Sequence, residues 1–422
     1  MKNFVCCCFL ALIAILDLPA QTEEGKHYGE AEEYRRSSLC IILINHRGKQ
    51  FADEIFEEFL NMTMPAKYND HNIDLRVFTT TGDDATEKDI LRIMNEQQVA
   101  KDLVAQWFDR DETTGMMDMN LIHQRGGYNA TYSDVQRVQS TERGVAALSE
   151  EGVDLIQNTF VLVCDMDYYD KSNTSIWFAL ALAGVSGYLQ ADAQSQAKKG
   201  KYRQAQSSQQ GAQSAMVLAG AVADIGGFSV KMRAHLLRLQ WTTDMTQKMF
   251  GEYWIDEDTP IEERISRRMA FNNDSTSFQL EYIGMYKARS GKVAFKSMND
   301  MHEVIRNVCQ NTIDEGMAKL AKSYPVFRPK TTFYCDGGMI YAYIGRKEGV
   351  TAKSKYEVMQ PVKKNGQLTY KKVEVVKPLR VWDNQQVDLS QLSDWSGITG
   401  TSFKRKKKKD ICGKGYLLRE KP

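Results

Sequence analysis

Two apolar runs of strand length constrain this chain most: "SLCIILINH" (38–46) and "NTFVLVCDMDYYD" (158–170). The second is apolar at successive positions up to Cys164 and ends in acids. A strand written that way must be covered on both faces, whereas a one-sided strand alternates apolar with polar residues. Helices on either side of a sheet give that cover. Between the two runs, "GKQFADEIFEEFL" sets Phe51, Ile55, Phe56 and Phe59 on one helical face, "NIDLRVFTTTG" (72–82) reads as a strand, and 85–108 follows the helical period through Ile90, Ile93, Met94, Val99, Leu103 and Phe108. This β-α-β-α opening predicts a layered α/β domain over 38–330.

The pattern continues with a loop in "MMDMNLIHQRGGYNATYSD" and a helix from Ser133 to about Ser149. A strand follows at 228–241, then a helical span around 244–270, a strand at 277–288 and a helix near 299–323. From about 330 the character changes to short β-like runs separated by turns, with Asn365-Gly366 as a strong hairpin signal. Residues 331–422 are expected to form a small, mostly antiparallel β module. "SGITGTSF" and "GYLL" read as two strands flanking a basic loop.

Inside the α/β domain, "SIWFALALAGVSGYLQ" (175–190) and "QSAMVLAGAVADIGGF" (213–228) flank a polar, helix-compatible spacer. Each is shorter than the ~20 residues a helical membrane span needs. Both carry Ala and Gly at close spacing, which lets two helices approach closely. An inserted helical hairpin over 175–228 is expected, with apolar bases and a polar tip near Gly200. Its faces, including Trp177, Phe178, Leu180 and Leu189, would meet a partner chain or lipid.

The first residues, "MKNFVCCCFLALIAILDLPAQ", read as an export signal cleaved near Ala20: a basic Lys2, then an apolar stretch too short to span a bilayer. Residues 21–37 are a polar lead-in. Five cysteines follow, Cys40, Cys164, Cys309, Cys335 and Cys412, an odd number for an oxidising compartment. The first three sit in strand or helix patterns and read as buried small hydrophobes. Lys plus Arg total 55 against 54 Asp plus Glu, so global charge gives no reason to expect nucleic acid as a partner.

Candidate chemistry is sparse. Asp165, Asp167 and Asp170 follow the apolar strand 158–165, and carboxylates at a strand's carboxyl end can hold Mg²⁺ or Ca²⁺; as lone acids at a strand exit they also read as solvated. The six histidines are scattered, and no phosphate-binding glycine loop, GxSxG or HExxH is present. No catalytic residue and no cofactor is indicated. Lys404, Arg405, Lys406, Lys407, Lys408 and Lys409 form a run of six basic residues suited to an anionic lipid or lipopolysaccharide phosphate.

The β module carries a pattern, "YIGRKEGVTAKSKYEVMQ…NGQLTYKKVEVVKPLRVWDN", in which Gly345, Gly349, Tyr356, Val358, Gly366 and Val381 match a G…G…Y-x-V…G…V-x-V signature. Together with the β-α-β-α start and the large insertion, it resembles envelope proteins related to the curli-secretion channel family and flagellar assembly proteins. The ending is similar to that of uncharacterised secreted proteins of anaerobic Gram-negative bacteria. The resemblance covers mainly 330–385. It implies oligomers in or at the outer membrane, with inserted hairpins crossing it, and no catalytic residues. The chain departs from that family in lacking a lipid-attachment motif and in an insertion that reads helical. The expectation is therefore an exported, non-catalytic structural or assembly factor of the periplasm or outer membrane, contacting an envelope protein or itself through 175–228. A membrane-inserting oligomer or pore component, and a metal-dependent hydrolase using the three acids, are the alternatives.

Overall fold

The computed structural model describes residues 35–46, 49, 52–74, 76–80, 86–126, 155–170, 186, 188–195, 197–198, 206–210, 212–215, 227–293, 299–364, 367–385, 400–405 and 416–422. The expected export signal, the lead-in to residue 34 and the expected helix at 133–149 lie outside them.

The apolar runs do form the centre of a sheet. Strand β1 (Ser38–His46) pairs in parallel with β4 (Thr159–Asp170) on one side and with β2 (Asn69–Asp70) and β3 (Val77–Thr80) on the other. Strands β5 (Gly227–Leu239) and β6 (Leu280–Val293) then extend the sheet antiparallel, giving the order β2-β1-β4-β5-β6. Both faces of β1 are buried, as its unbroken apolar run requires. Cys40, Ile42 and Ile44 pack with Val161, Val163 and Leu237 in one core, and Leu39, Ile41 and Leu43 pack with Phe160, Leu162 and Cys164 in the other.

Helices segregate by face. α1 (Ala52–Leu60) and α7 (Asn299–Ser323) cover the second core through Ile55, Phe59, Ile305, Val308 and Ile313. The first core takes α2 (Glu87–Glu96), α3 (Val99–Trp107), α4 (Asn120–Gly126), α5 (Thr243–Lys248), a π-helical turn (Met249–Tyr253) and α6 (Ile261–Asn273), through Ile90, Leu103, Trp107, Ile122, Phe250 and Phe271. This is the layered α/β domain expected.

Several boundaries differ from the sequence reading for local reasons. The helix expected over 85–108 is two helices, because Gln98 takes a left-handed conformation at φ 55° between them. A capping box of Thr86 and Asp89 starts the first. The stretch expected as a loop after Met116 contains α4, whose Ile122 is in the core. The helical span expected at 244–270 is broken by Trp254–Pro260, where Pro260 precedes a new helix. Of the strand expected over 72–82, Val77–Thr80 form β3, residues 72–74 are not in a strand, and residues 75, 81 and 82 lie outside the described residues.

Residues 330–421 make a seven-stranded antiparallel sheet in the order β7-β13-β10-β11-β12-β9-β8, as expected of the module. Its strands are β7 (Lys330–Thr331), β8 (Tyr334–Asp336), β9 (Met339–Ala342), β10 (Lys355–Lys364), β11 (Gln367–Arg380), β12 (Thr401–Lys404) and β13 (Leu417–Lys421). Lys364 opposes Gln367, so β10 and β11 are joined across two residues at the Asn-Gly position. The module has its own core around Tyr356, Val358, Val376, Phe403 and Leu418. The two strands flanking the basic run are β12 and β13, and they are not partners: β12 pairs with β11 and β9, whereas β13 pairs with β10 and β7. The basic loop thus links strands on opposite sides of the β10–β11 pair. At Gly345 an added Cβ would lie 2.5 Å from both Asn384 Oδ1 and the Trp382 carbonyl, and Gly349 has φ +75°. Two of the three glycines of the sequence signature, Gly345 and Gly349, therefore have backbone reasons, and Gly366 lies outside the described residues. The module docks on the α/β domain through Lys67, which holds both carboxylate oxygens of Glu420 at 2.8 and 2.9 Å.

Candidate functional site

A charged cluster lies at the carboxyl end of β1 and along the neighbouring stretches of β4 and β5, on the face shared with Ile42, Ile44 and Val163. Residues two apart on a strand share a face, so His46 on β1, Asp165 and Asp167 on β4, and Arg233 and Lys231 on β5 are brought together. The sequence reading ended the strand at residue 165 and set the acids beyond it. In the structure β4 runs on to Asp170, because β5 continues to pair with it through Asp170↔Phe228 after β1 has ended. Asp165 and Asp167 are therefore strand residues. The side chain of Asp170 lies outside the described residues.

The lone, solvated acid expected at Asp165 is instead a buried one, 1% exposed. Its Oδ1 meets His46 Nε2 at 2.5 Å, and its Oδ2 accepts from Arg233 Nε at 2.8 Å, with Arg233 Nη2 at 2.7 Å. Burial pushes this carboxyl up, but the His46 hydrogen bond and the Arg233 guanidinium outweigh burial and hold it below the ordinary aspartate value. Asp167 pairs with Lys49 at 2.5 Å on the loop after β1. Both acids also have a cross-strand reason. Arg233 opposes Lys287, and Lys231 opposes Arg289, on β5 and β6. Like charges directly opposite destabilise a sheet. Asp165 lies opposite Arg233 and Asp167 opposite Lys231 on the other flank, so each repulsive rung gains an acid.

A step further in, His235 Nδ1 lies 2.8 Å from the Tyr282 hydroxyl, and burial lowers its pKa to about 4. Beside β2, at the amino end of β1, the His71 ring lies tilted against Trp107, with Nε2 3.0 Å from the Leu103 carbonyl. Burial, with the neighbouring Arg125 charge, lowers its pKa to about 3, so it is neutral at physiological pH.

Chemically, this cluster is closed. Both oxygens of Asp165 are already held by cationic or hydrogen-bonding groups, and Asp167 is held by Lys49. Among the described residues, no three His, Cys, Asp or Glu side chains are arranged to hold a metal ion. The arrangement can clamp the carboxyl end of β1 to the middle of β4 and the amino-terminal half of β5. Sequence reasoning found the acids but missed His46, Lys49 and Arg233. His46 was legible as the last in-phase residue of the β1 run, two beyond Ile44; Arg233 needed the β4–β5 register.

The insertion is the other candidate. Its described parts are helical at 188–195 and at 206–210 and 212–215. Ser186 Oγ donates to the Ala212 carbonyl (2.8 Å), and Ser208 Oγ to Asp192 Oδ2 (2.8 Å). As residue number rises on one arm it falls on the other, so the arms run antiparallel as a helical hairpin, as the sequence predicts. Leu189 is half-buried, Tyr188 is 74% exposed, and Trp177, Phe178 and Leu180 lie outside the described residues. Ala193, Ala212 and Ala215 are buried but belong to none of the three hydrophobic cores. Of the basic run, Lys404 is exposed at the end of β12 and Arg405 is half-buried, while Lys406, Lys407, Lys408 and Lys409 lie outside the described residues.

Cys40, Cys164 and Cys309 are free and buried, as expected, and burial raises each thiol above its ordinary value. Cys335 on β8 is disulfide-bonded. Among the described residues, no helix is long and apolar enough to cross a membrane. No protein-family model, no curated protein and no solved structure matches the chain.

Proposed function

We propose that the chain is an exported, non-catalytic structural or assembly factor of the cell envelope, periplasmic or outer-membrane associated, and that the helical hairpin between β4 and β5 is its contact element. One observation carries this reading. Among the described residues, the buried alanines of the hairpin arms join none of the three cores, and the arms bond to each other through Ser186 to the Ala212 carbonyl and Ser208 to Asp192. A segment kept at the entropic cost of ordering it, without serving the core, is expected to serve a partner. The Cys335 disulfide fits an oxidising compartment, and the signal-like amino terminus fits export. The Asp165 cluster, closed by cations, argues for clamping the sheet over hydrolysis. The basic run from Lys404 would add a contact to anionic lipid or lipopolysaccharide.

The test is the envelope partner itself. Affinity capture with the intact chain is compared with a variant in which 171–226 is replaced by Asn-Gly. The reading expects a folded variant that has lost its envelope protein or its self-association. An unfolded variant would return the hairpin to core cover, and full retention of partners would remove its role. A second reading, a membrane-inserting oligomer, is favoured by the uncharged 175–190 segment; detergent-resistant rings in the membrane fraction would select it.

A further inference from the structure

The balanced total charge hides an asymmetry. Residues 331–422 carry 19 Lys and Arg against nine Asp and Glu, while residues 1–330 carry 36 against 45. The β module is basic and the rest of the chain acidic, a division that points to an anionic partner for the module.

The sheet concentrates that charge. Lys355 on β10 lies opposite Lys421 on β13, and Lys377 on β11 lies opposite Lys404 on β12. Tyr356 opposes Val376, which sets Lys355 beside Lys377 one step on. Lys421, Lys355, Lys377 and Lys404 thus form one row across four adjacent strands, about 14 Å long at sheet spacing. Lys355, Lys377 and Lys404 are exposed and Lys421 is half-buried. Like charges directly opposite destabilise a sheet. In the α/β sheet each such rung gains an acid from β4. Here, among the described residues of the four strands, Glu357 is the one acid on this face. It is held by Arg419 at 2.7 Å, with Arg328 at 3.7 Å and Lys372 at 3.8 Å. No ion pair joins any lysine of the row to a described acid. A repulsive row kept without an internal counter-ion is relieved by an anion from outside.

Leu379 indicates the form of that anion. It is the extra residue of a bulge in β11, two beyond Lys377, and is 62% exposed, with exposed Arg380 after it. Cations beside a protruding leucine match a bilayer surface, where phosphates overlie hydrocarbon; a soluble polyanion offers the leucine nothing. We infer that this face of the module docks on the anionic phospholipid headgroups of a bilayer, with the lysine row on the phosphates and Leu379 in the apolar edge beneath them. This deepens the envelope reading, which puts lipid contact at the basic run from Lys404, and rests on it for where the bilayer is met. Vesicle binding needs no envelope partner, so its failure would leave the role of the hairpin standing.

Flotation of the full chain with phosphatidylcholine vesicles, with and without phosphatidylglycerol, tests it, with thermal melts as the folding control. Binding should require phosphatidylglycerol and weaken as salt rises. Lys377→Gln should weaken it about fivefold, and Lys355→Gln with Lys377→Gln about 25-fold. Both variants remove a repulsive rung, so the module should melt at or above the parent temperature; a lower melt would make the row structural and overturn the proposal. Leu379→Ser should weaken vesicle binding and leave binding to inorganic polyphosphate unchanged. Equal binding with and without phosphatidylglycerol overturns the proposal, as does a double variant that binds like the parent. Vesicle binding that Leu379→Ser leaves intact and polyphosphate competes away would make the occupant a soluble polyanion and overturn the bilayer. Self-association at low salt without vesicle binding, abolished by Lys377→Gln, would make it the acidic domain of a second copy and overturn it as well.

Discussion

The chain contains two long antiparallel hairpins that solve the same problem by different means. β10 and β11 are closed by two residues, with Lys364 opposite Gln367. β4 and β5 are closed by 171–226, with Asp170 opposite Phe228. By loop-closure entropy each doubling of loop length costs about 0.6 kcal/mol, and nearly five doublings separate these loops, so the long connection costs only about 3 kcal/mol more. The β4–β5 pair meets that cost from its surroundings. It lies between β1 and β6, with a hydrophobic core on each face. In β10–β11 the connection is two residues long, and an Asn-Gly sequence there favours a tight turn. One hairpin is specified by the sheet around it, the other by its own turn. A connection that does not have to specify its strands is free to carry another role, which is why the insertion sits where it does.

If surroundings hold β4–β5, the most damaging change is to its buried clamp. Asp165→Ala would leave His46 and Arg233 facing each other without their shared carboxylate, and breaking a buried pair in this way costs about 3–5 kcal/mol. Urea unfolding would measure it. A change under about 1 kcal/mol would mean that the clamp is dispensable and that hydrophobic cover alone holds the strands.

Acid should weaken the α/β domain that holds this pair. His71 and His235 have folded pKa values of about 3 and about 4 against an ordinary 6.5. Between those values the unfolded chain binds protons that the folded chain refuses, so stability falls as pH drops below 6.5. Asp165 is shifted in the same direction: its lowered folded pKa contributes stability above the ordinary aspartate range, lost as pH falls through the folded value. All three lower stability in acid, the histidines first. Thermal melts from pH 7.5 to 4 should fall steadily, and His71→Gln should flatten the upper part of that decline. A flat profile across this range would contradict the burial of both imidazoles.

Exchanging the loops is the direct test of the comparison. With 171–226 replaced by Asn-Gly, β4 and β5 keep every residue of their register and lose only the long connection. The sheet should melt as cooperatively as before and gain up to about 3 kcal/mol. Loss of the cooperative transition would show that the insertion does contribute to the core.

These two hairpins also mark what could be read in the sequence. The strands were legible because burial on two faces leaves an unbroken apolar run, as in Leu39–Ile44 and Phe160–Cys164. The β10–β11 hairpin was legible because its turn chemistry is local. The β4–β5 pairing was not written in either run, and the Asp165 clamp depends on it: Arg233 is 68 residues away in sequence from Asp165 and reaches it only through the register. The continuation of β4 past Asp165 was hidden for the same reason, since Asp165 and Asp167 look like an exit until Arg233 and Lys231 stand opposite them. The break within 85–108 turns on the single left-handed Gln98, a conformation that no residue type announces reliably outside glycine.

The smallest expected effect is at the short turn. Lys364 opposite Gln367 leaves two central residues, and the two-residue turns whose twist matches antiparallel strands need positive φ, which Asn and Gly adopt most easily. Gly366→Val puts a β-branched side chain where that conformation costs about 1–2 kcal/mol. The loss should appear in the melting of the 331–422 module. It should leave the α/β sheet untouched, because the two regions have separate cores. Gly366→Asn, which tolerates positive φ, should recover most of it. Near-equal stability for Val and Asn at 366 would mean that β10 and β11, like β4 and β5, are held by their neighbours β13 and β12, and that the contrast between the two hairpins lies in loop length alone.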